Sequence, residues 1–247
     1  MIQLANISTQ PPEDIDKSDI KEKTKEYVER LGELQRLLRA SQNHAVLVVF
    51  QGMDASGKDG AVYKVFRDCS HNDVNTYGFK KPTKEELAHD FLWRVHQKTP
   101  GKGQIMIFNR SHYEDVLIQR VHGWISDEHA EKRMESINAF ENLLQYDNNT
   151  LVLKFFLHLS HEQQAEELQQ RLDEADKHWK HNSADWEERK HWDKYMHYYE
   201  EVLNKSAIPW HIIPVDKRWY RDYLVSKTLV EALEGLNMEY PALEDEL

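Results

Sequence analysis

Gly52-Met53-Asp54-Ala55-Ser56-Gly57-Lys58-Asp59-Gly60 follows an apolar run, and Gly52, Gly57 and Lys58 stand at the spacing of a phosphate-binding P-loop. The chemistry explains the spacing. Glycines let backbone N–H groups turn inward around phosphate oxygens, the following helix adds positive field at its N-terminus, and the lysine reaches the outer phosphates. Two positions depart from the usual loop. Asp59 stands where Ser or Thr normally holds magnesium, and Asp54 lies inside the loop, where a carboxylate beside phosphates is repelled unless a cation bridges them. Asp54 is therefore expected to bind Mg²⁺, directly or through water. The alternative is that it orients or deprotonates the attacking group.

A second polar cluster, Asn109-Arg110-Ser111-His112-Tyr113-Glu114-Asp115, ends the apolar run 104–108. Open α/β sheets place their active sites at the ends of core strands. A third stretch, 171–180, is dense in charge and carries Trp179 between two helical patterns, which reads as a mobile lid. Phosphoryl transfer needs positioning and charge neutralisation more than covalent help from the protein. Lys58, Arg110 and Arg171 are suitable cations.

The elements that must position these groups alternate. Apolar runs at 45–51, 74–79, 104–109, 150–157 and 210–215 read as strands, and helical spacing predicts helices over 18–40, 58–69, 83–97, 127–146, 160–171 and 217–236. A further helix carries Trp186, Trp192, Tyr195, Tyr199 and Leu203. Residues 1–16, with Pro11-Pro12, read as an irregular arm. Strands separated by helices imply a parallel sheet covered on both faces, a P-loop α/β fold. The chain divides as one domain: arm and first helix over 1–44, P-loop core over 45–160, helical lid over 161–204, last strand and helix over 205–247.

Composition narrows the classes. In 247 residues the net charge is −11, which argues against a general nucleic-acid binder. The acidic excess lies in residues 126–247, with 14 basic and 26 acidic side chains, whereas residues 45–125 carry 11 and 9, so a polyanion could be steered to the P-loop half. One cysteine, Cys69, fits a reducing compartment and reads as core. No basic-flanked leader or long apolar stretch stands out, so the expected setting is cytoplasmic, away from membranes. The histidines, including His178, His181, His191 and His197, show no zinc-type spacing.

The P-loop segment, Phe108 to Leu117, Arg171 through Trp179-Lys180, Pro209-Trp210 and Asp216 to Tyr220 together resemble the polyphosphate kinase 2 family, over about residues 17–240. The resemblance implies a three-layer sandwich, thymidylate-kinase-like, with a helical lid. It implies Mg²⁺-dependent transfer of the terminal phosphoryl group of inorganic polyphosphate to a nucleotide, with the reverse direction open and Mn²⁺ as an alternative metal. By position, Asp54, Lys58, Arg110 and Arg171 match the family's catalytic residues. Gly52, Ala55, Ser56, Gly57, Asp59, Gly60, Asn109 and Glu114 fall in its phosphate- and nucleotide-binding motifs. Lys177 and Lys180 match its basic lid, and Lys64, Arg67, Lys80 and Lys81 could extend a polyphosphate track. Asn109 stands where many members have Asp, and Asn-Arg-Ser-His-Tyr-Glu-Asp is similar to the class III branch, which phosphorylates nucleoside monophosphates and diphosphates. Asp115 is then expected to join Asp54 at the metal. The resemblance also implies a homo-oligomer, dimer or tetramer. Two rivals stand beside it: an ATP-dependent nucleotide or small-molecule kinase of the same fold, and a non-catalytic sensor.

Overall fold

The apolar runs become five strands, β1 (Ala45–Gln51), β2 (Val74–Tyr77), β3 (Ile105–Asn109), β4 (Thr150–His158) and β5 (Trp210–Pro214). The computed structural model describes residues 1–243, so the last four positions of the segment assigned to 205–247 lie outside the described residues. The strands form one sheet in the order β2-β3-β1-β4-β5, and every pairing is parallel. The helices between them are α1 (Lys17–Ser41), α2 (Lys58–Val65), α3 (Trp93–His96), α4 (Ile118–Val121), α5 (Asp127–Asn148), α6 (His161–Asp173), α7 (Ser183–Arg189), α8 (Trp192–Lys205) and α9 (Arg218–Glu234).

β1 is buried along its whole length, as a strand covered on both faces must be. Because successive side chains point to opposite faces, its residues divide between two cores. Val46, Val48 and Phe50 pack with Leu31, Leu34 and Leu38 of α1, Ala61 and Val65 of α2, and Val225 and Leu229 of α9. Leu47 and Val49 face the opposite layer, with Ile137 and Phe140 of α5 and Tyr195 and Tyr199 of α8. The result is the expected helix–sheet–helix sandwich. Phe50, fully buried and 5.4 Å from Phe155 between ring centroids, anchors one face; its truncation to alanine should cost about 3–5 kcal/mol.

Local signals set the helix starts. The Asp16 carboxylate accepts from the Ser18 and Asp19 amides at α1, the Ser126 hydroxyl from His129 N–H at α5, and the Ser160 hydroxyl from Gln163 N–H at α6. Such caps contribute about 1 kcal/mol each.

Three expectations change in detail. The helix over 83–97 forms only as a 3-10 turn at Glu86–Ala88 and as α3. Its capping box does close, with Thr83 N–H on Glu86 Oε2 at 2.7 Å and Glu86 N–H on Thr83 Oγ1 at 3.2 Å, but Leu87 is 68 % exposed. A first turn with no apolar face to bury does not propagate. The helix carrying Trp186 to Leu203 is divided into α7 and α8 at Lys190-His191, and 175–180 is a 3-10 turn. The N-terminal arm is tied down: Leu4 is buried, and Asp216 accepts from the Thr9 hydroxyl, the Gln10 amide and the Ser160 N–H at 2.7, 2.9 and 2.9 Å.

Candidate functional site

The parallel register brings the C-terminal ends of β1 and β3 side by side, Phe50 opposite Asn109. The turn after β1 needs its glycines. Gly52 has φ +149°, and a Cβ there would lie 2.7 Å from the Leu157 carbonyl oxygen of β4; Gly57 has φ +85°. Lys58, the first residue of α2, curls back over the turn. Its ammonium donates to the Gly52 and Met53 carbonyls at 2.7 and 3.0 Å. Burial, reinforced by the Arg110 guanidinium, pushes it down to about 8.

Arg110 leaves β3 with φ +62°, a left-handed backbone uncommon for a non-glycine residue, which stores about 1–3 kcal/mol of strain. Its own N–H is held by the Phe50 carbonyl at 3.1 Å, and its guanidinium donates to the Asp54 carboxylate. Asn109 donates its amide to Asp59. The loop is also held from α6, where Gln164 Nε2 donates to the Asp54 carbonyl at 3.0 Å.

Between the loop, the helices after β4 and the start of α9 lies a cavity of about 510 Å³. Asp54, Lys58, Arg110 and Arg171 all line it, as do Ala55, Gly57, Asp59, Gly60 and Asn109 and the basic residues Lys64, Lys177 and Lys180. Arg171 Nη1 donates to Asp185 Oδ2 at 2.6 Å and to the Lys180 carbonyl at 3.2 Å, which ties α6 to the lid turn. Gly52 and Ser56, in the same loop, are buried and do not line the cavity.

The remaining expected residues lie elsewhere. Arg67, Lys80 and Lys81 are exposed and do not line the cavity; Arg67 leans on Asp68. Glu114 sits beneath the cavity, where Gln51 Nε2 donates to it at 2.6 Å; burial raises its carboxyl, against the lowering pull of Arg110. Asp115 is placed apart from the cavity lining. It is 5 % exposed and its carboxylate receives Arg94 Nη2 at 3.2 Å, in a buried ion pair. The 3-10 turn His112–Val116 aims adjacent side chains in different directions, and it is Glu114 that lies under the loop.

Tyr63, Glu167, Trp179, Asn182, Asp185, Arg218, Arg221 and Asp222 also line the cavity and were not expected as site residues. For the α9 group a signal existed. Basic residues follow β5 at the carboxyl edge of the sheet, the edge where the loops after β1 and β3 converge. Among the described residues no group of three or more His, Cys, Asp or Glu is arranged to hold a metal. Asp54, 22 % exposed at its side chain and facing the cavity, fits a cation such as Mg²⁺ that takes one carboxylate and completes its shell with phosphate oxygens and water. Among the described residues no helix is long and apolar enough to cross a membrane.

The family model for polyphosphate kinase 2 matches residues 14–241. A curated relative from Meiothermus ruber, an AMP/ADP-polyphosphate phosphotransferase, is 49 % identical over 218 residues, covering 87 % of this chain and 81 % of its own. An ADP-polyphosphate phosphotransferase from Rhodopseudomonas palustris is 43 % identical over 229 residues, covering 87 % of this chain and 79 % of its own. Among solved structures, the polyphosphate kinase 2 from Arthrobacter aurescens TC1 superposes with a TM-score of 0.95 at 37 % identity, covering 100 % of this chain and 90 % of that one. With the P-loop, the Arg110 turn and the cations Arg171, Lys177 and Lys180 of the segment after β4 gathered on one cavity, the chain belongs to the polyphosphate kinase 2 family.

Proposed function

We propose that this protein transfers the terminal phosphoryl group of inorganic polyphosphate to AMP and ADP, giving ADP and ATP, with Mg²⁺ as its metal. The convergence of Lys58, Arg110 and Arg171 on one cavity with the further lysines Lys64, Lys177 and Lys180 carries the reading. So many cations suit a donor that is a chain of phosphates. The relatives from Meiothermus ruber and Rhodopseudomonas palustris bear names with AMP/ADP and ADP as substrates.

In this reading the loop N–H groups and Lys58 hold the donor's terminal phosphates, while Arg110 lies against equatorial oxygens of the phosphoryl group in transfer. Arg171 completes the charge when the helices after β4 close, and closure excludes water, which would otherwise take the phosphoryl group. Asp54 would hold Mg²⁺, and a cation bound there would supply neutralisation of phosphate charge. Arg110 must then release Asp54 as ligands enter. A phosphate oxygen as attacking group needs no strong base, so no separate general base is assigned. The same reading takes the protein as cytoplasmic and homo-oligomeric.

The test is ADP and ATP formation from AMP and from ADP, with long-chain polyphosphate and Mg²⁺ and no other donor. Formation of both products supports the reading. Failure with both acceptors, alongside transfer driven by ATP, would replace polyphosphate with a nucleotide donor.

A further inference from the structure

Arg221 is 2 % exposed, yet it reaches the cavity from α9. Its Nε and Nη2 both donate to Asp222 Oδ1, at 2.8 and 2.6 Å, and its Nη1 donates to the Gly57 carbonyl at 2.9 Å. That carbonyl also accepts from the Ala61 N–H at 3.0 Å, the first turn of α2, so both of its lone pairs are engaged. A Cβ on Gly57 would lie 2.2 Å from Nη1, and one on Gly60 would lie 3.3 Å from Nη2. The guanidinium fills the space that loop side chains would otherwise take.

We infer that Arg221 is a positioning residue for the phosphate-binding loop, fixing the Gly57–Lys58 peptide so that the Lys58 N–H faces the donor phosphates. The peptide unit is planar and trans, so its C=O and N–H point in opposite directions. Holding the Gly57 oxygen toward α9 therefore turns the Lys58 N–H away from α9 and into the loop's concave side. Glycine resists a rotation of that peptide less than any other residue, so the Arg221 contact adds a second restraint to the single helical bond from the Ala61 N–H. Asp222 supplies the second half of the fork: it fixes the plane of the guanidinium and offsets its charge. The contribution of Arg221 is for that reason geometric, and a lysine, with a single ammonium in place of the planar fork, cannot reproduce it.

The inference rests on the phosphoryl-transfer reading, and the test separates the two. Arg221→Lys and Arg221→Met are compared with wild type by thermal melting, by steady-state kinetics with polyphosphate and ADP, and by the amide signal of ¹⁵N-labelled Lys58 during titration with tripolyphosphate. In wild type the Lys58 amide should shift on titration. In both variants the shift should be lost or strongly reduced. KM for polyphosphate should rise at least about tenfold, the scale of losing a hydrogen bond from a charged donor, while KM for ADP stays within about twofold. Should Arg221→Met fail to fold, Arg221→Lys carries the same comparison. An unchanged Lys58 shift in a folded variant, or equal rises in both KM values, would overturn the inference alone. A wild-type protein that neither binds tripolyphosphate nor turns over polyphosphate would overturn the functional reading and the inference with it.

Discussion

The Arg110 guanidinium donates to the Asp54 carboxylate across the ends of β1 and β3, so the cation proposed for the moving phosphoryl group rests on the carboxylate proposed for the metal. The pair is half in solvent, with side chains 43 % and 22 % exposed, and its worth to folding is about 0–1 kcal/mol. Its value is in keeping both charges at the cavity until ligands separate them.

Asp54→Asn should leave the melting temperature almost unchanged while kcat/KM falls at least about 100-fold, the loss seen when one transition-state electrostatic group is removed. The Mg²⁺ concentration for half-maximal rate should rise. A Mg²⁺ titration that superposes on wild type would remove Asp54 from the metal site.

Lys58 makes the pH dependence specific. Burial first, then the Arg110 charge, lowers its folded value from 10.5 to about 8. Between those values the unfolded chain binds more protons than the folded one, so this group's contribution to stability rises with pH across the window, by up to about 3 kcal/mol. Below pH 8 the folded chain keeps the buried ammonium charged and gains nothing from this group. Function runs the other way: a neutral lysine attracts polyphosphate less, so kcat/KM for polyphosphate should fall above about pH 8. At saturating polyphosphate, whose charge favours the ammonium, the fall in kcat should move to higher pH. Identical inflections in both profiles would assign the titration to another group.

Asp115 and Asp54 should separate cleanly. The Asp115–Arg94 pair has side chains 7 % and 8 % exposed, and removing one partner from a buried pair typically costs about 3–5 kcal/mol. Asp115→Ala should therefore lower the melting temperature markedly. In enzyme that remains folded, the Mg²⁺ dependence should match wild type. A shifted Mg²⁺ requirement with normal stability would restore Asp115 to the metal.

These contrasts show what the chain makes legible. Gly52, Gly57 and Lys58 announced the loop because its geometry is local, and the strand runs announced the sheet because burial on two faces leaves a continuous apolar signature. Ser160 announced α6 through its cap. Arg221 could not be placed on Gly57 from spacing, since 164 positions separate them and β5 packing decides where α9 begins. Nor could Glu114 be told from Asp115, because the choice depends on the rotation of one 3-10 turn. The pattern over 83–97 misled for the converse reason: a closed capping box was present, but no buried face lay behind it.

Arg171 and Asp185, joined at 2.6 Å, tie α6 to α7 above the loop. Burial raises the Asp185 carboxyl, and the Asp54 charge raises it further, so this carboxylate is held near another by the guanidinium between lid elements. Asp185→Asn keeps the shape but weakens that tie, leaving Arg171 and the Lys177–Lys180 turn less well placed for closure. Turnover should fall about tenfold or more, and the released phosphate per ATP formed should rise, because an incompletely closed site admits water as a competing acceptor. Both are read in one assay, by measuring inorganic phosphate and ATP from polyphosphate and ADP. Reduced turnover with an unchanged ratio would mean that Asp185 supports binding or folding and has no part in excluding water. Wild-type turnover and ratio together would show that the Arg171–Asp185 tie does not govern closure.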